Sequence, residues 1–256
     1  MVVTGAGLAL IGLALTAVNV VGLARGLALY PVTREFGEGE RSLARTRPIG
    51  RLSELRRRPD ESDDTYAARL TRAINGHLVH SMGSPFPRVS ALQNWILWLL
   101  GTVAPSRFRN LEFRNARFAL ERGFGLCSQA ALVLADLLGR AGIRAEIAVL
   151  EGHVVVTAET APGRWIVLDP DYGVTIPMTL DEVRSQADVV VARSYGGDCG
   201  ASVVARLVPA YANGYRLAPR GGRERLRASF ERLTFFLKWA LPLLMIGVGG
   251  LLYAGR

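Results

Sequence analysis

The chain has 256 residues, 50% hydrophobic and 21% charged, which excludes a disordered chain and provides for one substantial core. Its 31 basic and 22 acidic residues give a net charge of +9 and a pI of about 10.3, which points either to nucleic acid or to a membrane surface. Two cysteines, Cys127 and Cys199, and three histidines, His77, His80 and His153, exclude a disulfide framework and show no spacing for a cysteine-rich zinc site.

Met1 to Ala24 contains no charged residue. At 1.5 Å per residue it exceeds a hydrocarbon core of about 30 Å. It lacks a basic n-region and is longer than a signal-peptide h-region, so residues 1–25 are predicted to be a retained transmembrane helix. Gly22 and Gly26 in this region have GxxxG spacing. Residues 26–110 are predicted to be a basic juxtamembrane segment and a helical subdomain. Arg51 to Arg58 is basic and ends at Pro59; Ser62 and Asp63 then supply capping types for a helix with Tyr66, Leu70, Ile74, Leu78 and Val79 on its apolar side. His77 and His80 fall on this helix and are read as packing or surface residues. Met82 to Pro87 reads as a loop. Ala91 to Ala104, with Trp95 and Trp98, is short for a span and fits a core helix better than an interfacial one.

Residues 111–215 carry the chemistry. Phe124-Gly125-Leu126-Cys127-Ser128-Gln129 leads into an apolar helix ended by Gly139 and Gly142, which puts Cys127 at the helix N-terminus. There the backbone dipoles and free N–H groups favour a thiolate and can hold an oxyanion. Ile143 to Leu150 alternates as a strand. Glu151-Gly152 is a turn, His153 to Glu159 a second strand, and Ala161-Pro162-Gly163 another turn. Arg164 to Leu168 is a third strand with Asp169 at its end. Short turns between antiparallel neighbours bring His153 and Asp169 side by side, and a helix packed on that sheet can present Cys127 to His153. A thiol, an imidazole to ionise it and a carboxylate to orient the imidazole are what nucleophilic acyl transfer needs. A buried cysteine, a core histidine and a turn aspartate would give the same pattern.

Residues 216–232 form a second basic segment, and 233–254 are predicted to be a second transmembrane helix, with Lys238 able to snorkel and Pro242 able to kink it. Arginines follow the first span and precede the second, which predicts a multi-pass cell-membrane protein with its central domain in the cytoplasm. The charge divides accordingly. Arg25 to Arg58 holds nine basic and four acidic residues, Arg216 to Lys238 seven and two, and Pro59 to Tyr215 14 and 16. The excess sits beside the spans, where it meets anionic lipid, and the near-neutral centre argues against nucleic acid.

Gly125-Leu126-Cys127, Gly152-His153-Val154-Val155 and Trp165-Ile166-Val167-Leu168-Asp169-Pro170 resemble the transglutaminase-like cysteine superfamily in its bacterial form, over roughly Leu111 to Pro177. The resemblance implies an α+β fold with a papain-like transglutaminase core, a cysteine-bearing helix on an antiparallel sheet, here flanked by transmembrane helices. It implies Cys127 as nucleophile, His153 as general base and Asp169 as third member, with no cofactor and no metal. The Cys127–His153 stretch is short and shows no calcium loop, so hydrolysis of an amide or peptide, or a narrower acyl transfer, is expected rather than protein crosslinking. The alternative is an idle triad in a scaffold or binding module of a membrane assembly. Gln93, Asn94, Trp95 and Trp98 are candidate second oxyanion donors. Gln129 is less suited, and Cys199 reads as a structural thiol.

Overall fold

The computed structural model describes residues 2–25, 49–80, 89–108, 111–197, 199–218 and 222–255. Gly26, the arginines at 34–47 and the predicted loop at 82–87 lie outside them. The described elements are α1 (Val2–Ala24), α2 (Asp63–His77), β1 (Val79–His80), α3 (Ala91–Val103), α4 (Pro105–Phe108), α5 (Ala116–Arg122), β2 (Phe124–Gly125), α6 (Cys127–Arg140), β3 (Arg144–Leu150), β4 (His153–Ala161), β5 (Arg164–Asp169), β6 (Val174–Ile176), α7 (Leu180–Ser185), α8 (Ala187–Tyr195), α9 (Ala201–Ala212), β7 (Arg216–Leu217) and α10 (Gly222–Ala254). The fold is α+β, and the chain divides into two compact units. The stretch predicted as one helical subdomain is shared between them, α2 going with the sheet and α3 with the terminal helices.

The first unit holds α1, α3, α4 and α10. α1 and α10 are long and apolar enough to cross a membrane. Leu10, Leu13, Leu244 and Leu251 on these helices are more than half exposed. α1 and α10 approach closely through small residues: a Cβ on Gly12 would lie 2.6 Å from the Pro242 carbonyl oxygen, and one on Gly249 2.6 Å from that of Gly5. Gly22 instead meets the Leu92 backbone of α3. α10 begins well before the predicted 233, so much of the basic segment is helical. The Lys238 ammonium donates to the Gln93 carbonyl at 2.7 Å and lies against Phe235 and Trp239. The α3 helix buries Gln93, Asn94, Leu97 and Gly101 and leaves Trp98 and Val103 exposed.

The second unit is built on an antiparallel sheet of order β6-β5-β4-β3-β7. β3 and β4 form the expected hairpin, closed at Leu150 opposite His153, with Gly152 taking the left-handed conformation (φ 71°) its turn requires. The sheet is covered on both faces. Val155 and Val167 join a core with residues of α7, α8 and α9, while Val156, Ala158, Ile166 and Leu168 of the alternate set are also buried. α6 packs on β3 and β4. Ser62 caps α2, accepting from the Thr65 N–H.

Candidate functional site

Cys127 is the first residue of α6, following Leu126 in an extended conformation. The approach to it is fixed by two short strands, β1 and β2, paired in parallel with Val79 opposite Phe124 and His80 opposite Gly125. Gln129 anchors the first turn. Its Nε2 donates to the Phe113 carbonyl, and its Oε1 accepts from the Phe113 N–H and from Arg122 Nη2, all at 2.7–2.8 Å. A Cβ on Gly125 would fall 2.5 Å from Gln129 Cβ, so glycine is the residue that lets this turn close. Cys127 itself is half-buried, and the first-turn N–H groups have no partner within the helix.

His153 opens β4 and Asp169 closes β5, and the two meet: His153 Nε2 lies 2.7 Å from Asp169 Oδ2. Carrying the Val156–Leu168 pairing forward puts Val155 opposite Asp169, so His153 and Asp169 are diagonal neighbours on one face. Asp169 is fully buried. Its Oδ1 accepts from the Asp171 and Tyr172 N–H groups, and its Oδ2 also accepts from Tyr195 Oη at 2.9 Å. With its hydrogen given to Asp169, Tyr195 Oη accepts from Tyr211 Oη at 2.8 Å. Burial raises the pKa of both tyrosines well above the ordinary phenol value, which keeps them neutral donors.

Asp169 holds Nε2, which leaves Nδ1 for the thiol, and the Cys127 sulfur lies within 4.8 Å of a ring nitrogen of this imidazole. Burial opposes the His153 imidazolium, but the Asp169 carboxylate and then the Cys127 sulfur outweigh it and lift its pKa to about 10. An imidazolium facing sulfur at a helix N-terminus is the setting that stabilises a thiolate. The structure therefore brings together all three residues singled out from the sequence.

Other expectations change. The α2 helix stops at His77, because the Val79 N–H leaves it to bond the Gly123 carbonyl. His77 is buried; its Nδ1 accepts from the Ile49 N–H and its Nε2 donates to the Leu120 carbonyl, a packing role. His80 lies on β1 rather than on the helix, with Nδ1 2.7 Å from Asp171 Oδ1. Asp171 lies in the turn that follows β5, and one donor atom each of Cys127, His153 and Asp171 lie within 4.8 Å of one another, close enough to hold a metal ion. His80, Asp171, Tyr195 and Tyr211 were not foreseen as site residues. Asp171 reaches the site from a turn beyond the end of β5, where strand alternation no longer applies, so no periodic signal marks it.

Gln93, Asn94, Trp95 and Trp98 lie on α3, in the other unit. Asn94 caps its own helix through Oδ1 and donates to Thr234, and the Trp95 indole donates to the Lys238 carbonyl, so these donors are committed there. Gln129 is held by Phe113 and Arg122. Cys199 is buried in the core with α8 and α9, as a structural thiol would be. No protein-family model, curated protein or solved structure matches this chain.

Proposed function

We propose that this protein is a membrane-anchored cysteine enzyme with a transglutaminase-like, papain-like core that cleaves or transfers an acyl group from an amide or peptide. The observation that carries this reading is the Cys127–His153–Asp169 arrangement: a thiol at a helix N-terminus, within 4.8 Å of an imidazole nitrogen, and that imidazole's Nε2 2.7 Å from a buried carboxylate. In the reaction the Cys127 sulfur attacks the amide carbonyl, while its proton resides on His153 Nδ1. The Cys127 N–H, at the positive end of α6, donates to the developing oxyanion. His153 gives its proton to the leaving amine, the C–N bond breaks and a thioester remains. His153 then takes a proton from water or from an acceptor amine, which releases the acyl group. Asp169 keeps the ring oriented throughout.

The flanking apolar helices support anchoring in a membrane, and the arginines beside them support a cytoplasmic catalytic unit. The test compares Cys127→Ala with Cys199→Ala under limiting iodoacetamide at pH 7. Wild-type protein and Cys199→Ala should label rapidly and Cys127→Ala slowly. If Cys127 labels no faster than an ordinary thiol, the triad is idle and the scaffold reading replaces the enzyme.

A further inference from the structure

Asp171 has no task in the proposed reaction, yet it is built into the site. It is 7% exposed. Its Oδ1 lies 2.7 Å from His80 Nδ1, and its backbone carbonyl accepts from the Asn75 amide. Its Oδ2 is buried and has no hydrogen-bond partner among the described residues. A buried carboxylate oxygen without a donor is costly, and such groups call for an explanation. This one belongs to a group whose donor atoms, with those of Cys127 and His153, lie within 4.8 Å of one another.

We infer that Cys127, His153 and Asp171 form a binding site for a borderline-soft divalent ion of the Zn2+ class, which caps the nucleophile when bound. The ligand set selects this class. Thiolate and imidazole suit zinc, whereas calcium and magnesium take oxygen ligands. Zinc bonds of about 2.0–2.3 Å bring ligand atoms to about 3.5 Å apart, so the cluster closes on an ion by side-chain rotation of about 1 Å. Each nitrogen or oxygen ligand is already oriented from behind, His153 by Asp169 through Nε2 and Asp171 by His80 through Oδ1. Half-buried Cys127 marks the open side, where the ion enters and a water completes a tetrahedron. The proton shared by the Cys127–His153 pair leaves to solvent as the metal–sulfur bond forms, with no change of oxidation state. The inference goes beyond the acyl-transfer reading and holds whether or not the triad turns over.

The test uses the full-length chain in detergent, stripped of metal and titrated with Co2+ and then Zn2+. One Co2+ per chain should bind with a near-ultraviolet thiolate-to-cobalt charge-transfer band, which Zn2+ displaces. Cys127→Ser should abolish the band, and Asp171→Asn should weaken binding by about tenfold or more. Stoichiometric Zn2+ should slow iodoacetamide labelling of Cys127 by about tenfold or more. Absence of the band from wild-type protein, or an Asp171→Asn affinity equal to wild type with an unchanged far-ultraviolet spectrum, overturns the site. Should Asp171→Asn fail to fold, the wild-type band and Zn2+ protection decide. Slow labelling of the metal-free protein beside an intact cobalt band removes the enzyme reading and leaves this one; rapid labelling without a band does the reverse.

Discussion

His153 Nε2 stands 2.7 Å from Asp169 Oδ2, and this contact decides which ring nitrogen is left to face sulfur. It also decides the charge. Burial alone would discharge the ring, and the adjacent carboxylate reverses that, carrying the imidazolium to about 10. In Asp169→Asn the burial remains and the countercharge is gone, so the His153 pKa should drop below its ordinary 6.5 and its proton should stay on sulfur at pH 7. Iodoacetamide labelling of Cys127 should then fall by about tenfold or more at pH 7 and recover as the pH is raised. In wild-type protein the His153 ring, followed by NMR, should stay protonated through pH 6.5 and titrate only near 10. A wild-type profile that titrates near 6.5 would show that Asp169 does not hold the charge.

The nucleophile's position depends on Gly125. A Cβ there meets Gln129 Cβ at 2.5 Å and Cγ at 2.6 Å, and Gln129 cannot swing away without giving up its bonds to Phe113 and Arg122. Gly125→Ala should destabilise the sheet unit by about 1–3 kcal/mol and slow labelling of Cys127 but not of Cys199. Gly139, in the same helix, has open space around its Cβ position. Gly139→Ala should therefore be neutral or stabilising by up to about 1 kcal/mol. Equal melting temperatures for the two variants would remove the packing explanation.

The residues that were legible in sequence are those set by local pattern. Cys127 follows a break and precedes an apolar helical run, and β3, β4 and β5 alternate between turns whose lengths fix the pairing. His153 and Asp169 could be placed from that register. The rest depends on tertiary events. Leu78 and Val79 fit the helical period, but Val79 bonds across to Gly123, which takes His80 out of the helix and to Asp171. Tyr195 reaches Asp169 from a helix beyond the sheet and Tyr211 reaches Tyr195, and the spacing of the two tyrosines carries no sign of that chain. The Gln93 carbonyl that accepts from Lys238 is 145 residues away in the chain, so no local pattern shows that contact.

Glu61 and Arg69 give the acid limb of stability a definite shape. Arg69 Nε and Nη2 meet the two Glu61 oxygens at 2.7 and 2.8 Å, while its Nη groups hold the Glu54 and Arg56 carbonyls against α2. The Arg69 hydrogen bond is the main cause that lowers the Glu61 pKa from 4.5 to about 2. A lowered carboxyl pKa stabilises the native state above the unfolded value, and that contribution is lost as pH falls from 4.5 through about 2. Allowing for solvent screening, Glu61→Gln should cost about 1 kcal/mol at pH 7. Denaturant midpoints of the two proteins should converge as pH approaches 2. A difference that persists at pH 2 would assign the loss to packing instead.

Pro242 and Asn19 form the corresponding pair in the apolar unit. A proline inside a helix removes the N–H that would bond the carbonyl four residues back, here that of Lys238. That carbonyl instead accepts from Asn19 Nδ2 at 2.6 Å and from Trp95 Nε1 at 3.1 Å. Among apolar helices a freed backbone group has no water to turn to, so side chains from α1 and α3 take the place of the missing donor. Asn19→Ala should lower stability in detergent by about 1 kcal/mol, within the usual range for an interhelical hydrogen bond. Pro242→Ala restores a backbone donor to Lys238, and in that background Asn19→Ala should cost much less. Thermal melting of the four proteins measures the coupling, and equal losses in the two backgrounds would show that Asn19 acts by packing alone.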